Sequence, residues 1–61
     1  MMVVLVNDKE IHLLPGMTVT HALTQAGLIK SVKAGKRVYD EWGNEIGLDG
    51  AISENMKIFV R

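Results

Sequence analysis

The stretch VVLVNDKEIHLLPGMTVTHALTQAGL, residues 3–28, decides the fold of this chain of 61 residues. Its start belongs to a β-branched apolar run, residues 2–6, that is continuous rather than alternating and therefore predicts a central strand. Residues 7–9 tolerate the dihedral angles of a tight turn, and residues 10–14 alternate polar with apolar side chains. The stretch therefore opens with a predicted β-hairpin.

The rest of the stretch has the start, the apolar stripe and the end of a short helix. Thr18 is the predicted N-cap, with its hydroxyl accepting a hydrogen bond from a first-turn N–H. Apolar residues follow at i, i+3, i+4 and i+7 spacing, namely Val19, Ala22, Leu23 and Ala26. Gly27 can adopt the left-handed conformation that ends a helix, and Leu28 is expected to fold back on Leu23. So short a helix must be held by packing on the hairpin.

The middle of the chain is compatible with two arrangements. Residues 31–33 and 37–39 form either two short strands around a turn at residues 34–36, or one longer strand with a glycine bulge. Both arrangements direct Val32 and Val38 inward.

The last third is predicted to be mostly irregular until a final strand. Residues 40–44 form a turn or loop, residues 45–50 an irregular glycine-rich stretch, and residues 53–55 a tight turn. Residues 56–61 then form a strand in which Ile58 and Val60 share one face.

Composition limits the classes of function. Seven basic and seven acidic residues cancel, so the chain lacks the positive field that drives most nucleic-acid binding, and nucleic acid is not an expected partner. Without cysteine it has neither disulfides nor thiolate metal ligands. The apolar run at residues 1–6 is too short for a membrane span and lacks the features of a signal peptide. We expect one cytoplasmic domain, residues 1–61, with no membrane partner.

Charge is unevenly distributed along the chain. Four bases and no acid lie in residues 30–37, namely Lys30, Lys33, Lys36 and Arg37. Five acids and no base lie in residues 40–54, namely Asp40, Glu41, Glu45, Asp49 and Glu54. These runs are either solvated edges and loops or a docking surface.

The first 28 residues resemble the small sulfur carriers of thiamine and molybdopterin synthesis, within the ubiquitin-like β-grasp superfamily. Residues 4–11, VLVNDKEI, are similar to the family's V-x-V-N-G-K-x-x opening. Residues 15–19, PGMTV, with Leu23 and the AGL at residues 26–28, are similar to its first helical segment. The resemblance implies an α+β, β-grasp fold: a mixed sheet of four to five strands clasps one short helix, and the last strand runs parallel beside the first.

The resemblance also implies a functional requirement. A sulfur carrier is activated through a flexible C-terminal glycine pair, whereas this sequence stops at Arg61. We therefore expect a small non-enzymatic binding or adaptor protein of sulfur-carrier-like ancestry. A working sulfur carrier is the first alternative, and a homo-oligomeric structural subunit is the second. The plant-type ferredoxin branch of the superfamily needs four cysteine ligands, which the chain lacks.

No catalytic, cofactor or metal site is expected. His12 is predicted on the polar face of a strand and His21 in the first turn of the helix, and we expect neither to have a carboxylate or nucleophile partner. The acidic loop residues do not follow the spacing of an EF-hand, and the glycines do not form a phosphate-binding loop.

The expected partner is another protein, with a homodimer as the alternative. Trp42 is the principal candidate, because tryptophan is enriched at interface hot spots, although its ring could instead cover the small core as a lid. The sheet face opposite the helix is expected to present Glu10, His12, Lys57 and Phe59. The basic residues Lys33, Lys36 and Arg37 complete the predicted partner-binding set.

Overall fold

A computed structural model describes residues 2–61 and has an α+β architecture, in which a mixed sheet carries two short helices on one face. In chain order the elements are β1 (Met2–Val6), β2 (Lys9–Leu13), α1 (Val19–Ala26), α2 (Ile29–Lys33), β3 (Val38–Tyr39) and β4 (Lys57–Val60).

The sheet has the strand order β2-β1-β4-β3. The two central strands, β1 and β4, are parallel, with Leu5 beside Lys57. The outer strands β2 and β3 each pair antiparallel with their central neighbour. The prediction of β1 as a central strand is confirmed, because it is hydrogen-bonded on both edges.

The β1–β2 hairpin turns through two residues. Asn7 and Asp8 both have positive φ, 49° and 68°, which identifies the type I′ turn whose twist matches that of the flanking strands. Val6 therefore pairs with Lys9, and Val4 pairs with Ile11. This register directs Val4, Val6, Ile11 and Leu13 to the same side of the sheet, where all four are buried.

The predicted end residues of α1, Thr18 and Gly27, are confirmed. Thr18 is the N-cap residue and forms a capping box with His21, whose Nδ1 accepts the Thr18 backbone N–H at 3.0 Å. Gly27 ends the helix with φ 76°, and its N–H bonds the carbonyl of Thr24. The N–H of Leu28 bonds the carbonyl of Leu23 at 2.9 Å, which completes a Schellman motif.

The prediction of a strand at residues 31–33 is wrong. These residues belong to α2, which begins directly after the end of α1 and packs Ile29 and Val32 against the core. Their i, i+3 spacing puts both on one side of a single helical turn. Gly35, with φ 116°, lies in the turn that follows the helix. The strand predicted at residues 37–39 is present only as the two residues of β3.

The core lies between the helices and the inner face of the sheet. It consists of Val4, Val6, Ile11, Leu13, Val19, Ala22, Leu23, Val38, Ile58 and Val60. The predicted inward direction of Val38, Ile58 and Val60 is confirmed, and Val32 is partly buried against the same cluster.

Candidate binding surfaces

The face of the sheet that points away from the helices is called the open face here. Side chains alternate along a strand, so the residues next to the buried ones must point to this face. It carries Val3 and Leu5 from β1, Glu10 and His12 from β2, Tyr39 from β3, and Lys57 and Phe59 from β4. The structure thus brings the predicted residues Glu10, His12, Lys57 and Phe59 onto one surface.

An arginine lies beside the two aromatic residues of the open face. Phe59 and Tyr39 are directly paired across β4 and β3, and both are half-buried. The guanidinium carbon of Arg61 lies 5.4 Å from the centroid of the Phe59 ring and 5.9 Å from that of Tyr39. These distances are within the range of cation–π attraction. Tyr39 and Arg61 were absent from the predicted set, although their alternation with Val38 and Val60 places them on this face.

His12 has a carboxylate partner, contrary to the sequence-based expectation. Its Nε2 lies 2.9 Å from Oε1 of Glu10, two residues earlier on the same edge strand. Residues i and i+2 of a strand share a face, which explains the contact. Both side chains are more than half exposed, so the pair belongs to the rim of the open face.

Trp42 is an exposed residue and not a lid over the core. The residue is 77% exposed and lies in the loop that follows the edge strand β3. The loop is held by Asp40, whose Oδ1 accepts the backbone N–H groups of Trp42 and Asn44, each at 2.9 Å. The ring is therefore presented to solvent from an internally bonded loop.

A groove lies between this loop and the turn that leads into β4. Its volume is about 290 Å³. Because β3 is antiparallel to β4, the loop after Tyr39 returns toward the residues that precede β4. The lining residues are Asp40, Glu41, Trp42, Ser53, Glu54, Asn55, Met56 and Lys57. Glu54 also joins the groove to β1, since its Oε2 accepts the Val3 N–H at 2.6 Å.

Arg37 lies at the other end of β4. Its backbone exchanges two hydrogen bonds with Arg61, at 2.8 and 3.0 Å, so the last residue of the basic segment, defined here as residues 30–37, adjoins the carboxyl end of β4. The Arg37 guanidinium donates a hydrogen bond to Oε2 of Glu45 at 3.0 Å, and this bond raises the pKa of Arg37. Lys33 and Lys36 are exposed. None of Lys33, Lys36 and Arg37 lines the groove that contains Trp42.

His21 has a local structural role that the sequence analysis missed. Its Nδ1 lies 3.0 Å from the Thr18 nitrogen and 3.1 Å from the Thr18 hydroxyl oxygen. A histidine at the third helical position replaces the Glu or Gln of the usual capping box, so the sequence signal for this role is weak. Across residues 2–61, no three His, Asp or Glu side chains are grouped as metal ligands.

Comparisons with known proteins do not extend these observations. No protein-family model, curated protein or solved structure matches the chain. In the part of the chain that the structure describes, no helix has the length and apolar character needed to cross a membrane.

Proposed function

We propose that this chain is a small non-enzymatic binding module of the β-grasp type, which holds a partner protein on the open face of its sheet. The β-grasp assignment is supported by the order of a hairpin, a helix and a last strand parallel to the first, together with the strand order β2-β1-β4-β3.

The observation that carries the binding proposal is the composition of the open face. Half-buried Leu5, Phe59 and Tyr39 lie on three adjacent strands and form an apolar centre. Exposed Glu10 and His12 border it on the edge strand β2, and exposed Lys57 lies beside Leu5 at the start of β4. An apolar centre within a polar rim is the usual anatomy of a protein interface, in which aromatic and arginine side chains supply much of the affinity.

The non-enzymatic part of the proposal rests on the surroundings of the histidines. The Glu10–His12 pair is exposed on an edge strand, and His21 caps a helix. Neither histidine lines the groove.

The test starts with a partner recovered from the source cell on immobilised protein, which is then purified and titrated against variants. Phe59→Ala and Glu10→Lys change the open face, and both should weaken binding about tenfold or more, since truncated hot-spot residues commonly cost over 1 kcal/mol. Asp49→Lys is the matched control, because Asp49 is an exposed acid in a loop on the helix side. Unchanged affinity for both open-face variants, with intact folding by circular dichroism, would refute the proposal.

The second candidate is a sulfur carrier, which the parallel pairing of β1 and β4 also favours. Protein isolated from its own cell and examined by intact mass distinguishes the candidates. A thiocarboxylate, or an acyl-adenylate formed with ATP and an activating enzyme, would establish the carrier.

A further inference from the structure

The groove is an acidic surface with an aromatic wall. Asp40, Glu41 and Glu54 line it against a single base, Lys57. The Asp40 carboxylate holds its own loop, and Glu54 bonds the Val3 N–H, whereas Glu41 makes neither a side-chain hydrogen bond nor an ion pair within residues 2–61. Beside Glu41, the exposed ring of Trp42 offers a face to a cation.

The basic segment carries the complementary charge. The ion pairs formed among residues 2–61 are His12–Glu10 and Arg37–Glu45, so Lys30, Lys33 and Lys36 have no acidic partner there. All three lysines are exposed. A lysine stem can also lie along apolar surface while its ammonium reaches a carboxylate.

The groove and the Arg37 end of the basic segment lie at opposite ends of β4. The groove contains the turn before β4, whereas the basic segment is joined by Arg37 to Arg61 just after β4. A two-fold axis that passed through either surface would oppose like charges. A head-to-tail contact instead matches the basic segment of one copy with the groove of the next.

We infer that the groove is the docking site for the basic segment of a second copy of this chain. Lys33 and Lys36 enter from the neighbouring molecule, with one ammonium over the Trp42 ring and beside Glu41. Copies with zero net charge do not repel one another as a whole, so local attraction decides the association.

Sedimentation velocity at increasing concentration and low salt tests the inference. The average mass of the wild type should rise with concentration, and the rise should disappear at high salt because the screening length falls from about 30 Å at 0.01 M to about 3 Å at 1 M. The groove variant Glu41→Lys/Trp42→Ala and the segment variant Lys33→Glu/Lys36→Glu should each weaken association about tenfold or more. Asp49→Lys and Lys9→Glu are controls that change charge outside both surfaces and should associate as the wild type does.

An equimolar mixture of the two double variants is the decisive sample. The groove variant retains an intact basic segment and the segment variant an intact groove, so the mixture should form a dimer and nothing larger. A monomeric wild type at low salt, a monomeric mixture, or undiminished association of either double variant would overturn the inference. These variants leave Phe59 and Glu10 unchanged, so the result is independent of partner binding at the open face.

Discussion

At the scale of single residues, the two turn positions of the hairpin have similar dihedral angles and different roles. Asn7 and Asp8 both have positive φ. The Asn7 side chain also spans to β4, where its Oδ1 accepts the Val60 N–H at 2.9 Å. Asp8 makes no side-chain hydrogen bond among the described residues, so its contribution is limited to the turn.

We therefore expect opposite effects from one substitution at neighbouring positions. Asp8→Gly should stabilise the protein by about 0.5 kcal/mol, because glycine adopts the left-handed conformation without strain. Asn7→Gly should destabilise it by about 1 kcal/mol, the usual net value of a lost hydrogen bond. Urea denaturation measures the free energy of unfolding of both variants. Equal effects would show that the hydrogen bond between the Asn7 side chain and Val60 does not stabilise the protein.

The His21 capping role gives a second prediction at this scale. His21→Ala should lower the free energy of unfolding by about 0.5 to 1 kcal/mol, while His21→Glu should retain it, because glutamate is the usual residue at this position. Thr18→Ala should cost about 1 kcal/mol, toward the typical loss for an N-cap. The measurement is thermal or urea denaturation, and a destabilised His21→Glu variant would contradict the capping interpretation.

At the scale of elements, the first 28 residues could be interpreted from sequence because each signal there is local. Each of these signals depends only on residues a few positions apart in the sequence: the turn residues of the hairpin, the apolar stripe of α1 and the glycine that ends it at Gly27. The helix at residues 29–33 could not be predicted, because one helical turn contains a single apolar pair at helical spacing, Ile29 and Val32. Valine is also common in strands, so this pair does not distinguish a helix from a strand. The groove could not be predicted either, because residues 40–42 and 53–57 meet only through pairing of β3 with β4.

The end of α1 makes a testable prediction for this element. Gly27→Ala should destabilise the protein by about 1 kcal/mol, although alanine is the better helix former, because Gly27 has φ 76°. Gln25→Ala is a suitable control, since Gln25 is exposed within the same helix and alanine is favourable there. A stabilised Gly27→Ala variant in urea denaturation would show that the helix continues past this residue.

At the scale of the whole molecule, stability depends on one small core and not on the exposed aromatic ring. Trp42→Ala should change the free energy of unfolding by less than about 0.5 kcal/mol, as surface substitutions usually do. Leu23→Ala should cost about 2 to 5 kcal/mol, because Leu23 is fully buried. Both are measured by circular dichroism during urea denaturation. A large loss with Trp42→Ala would mean that the ring covers the core in solution.

The pairing of β1 with β4 also has a consequence for synthesis of the protein. The Leu5 N–H bonds the Met56 carbonyl and the Asn7 N–H bonds that of Ile58, so one edge of β1 is satisfied by residues made about fifty positions later. Until then the nascent chain can form the hairpin and the helix, but an apolar strand keeps an open edge on the ribosome. Such an edge can pair with other chains. A chain truncated before residue 57 would therefore be prone to aggregation rather than form a smaller stable protein.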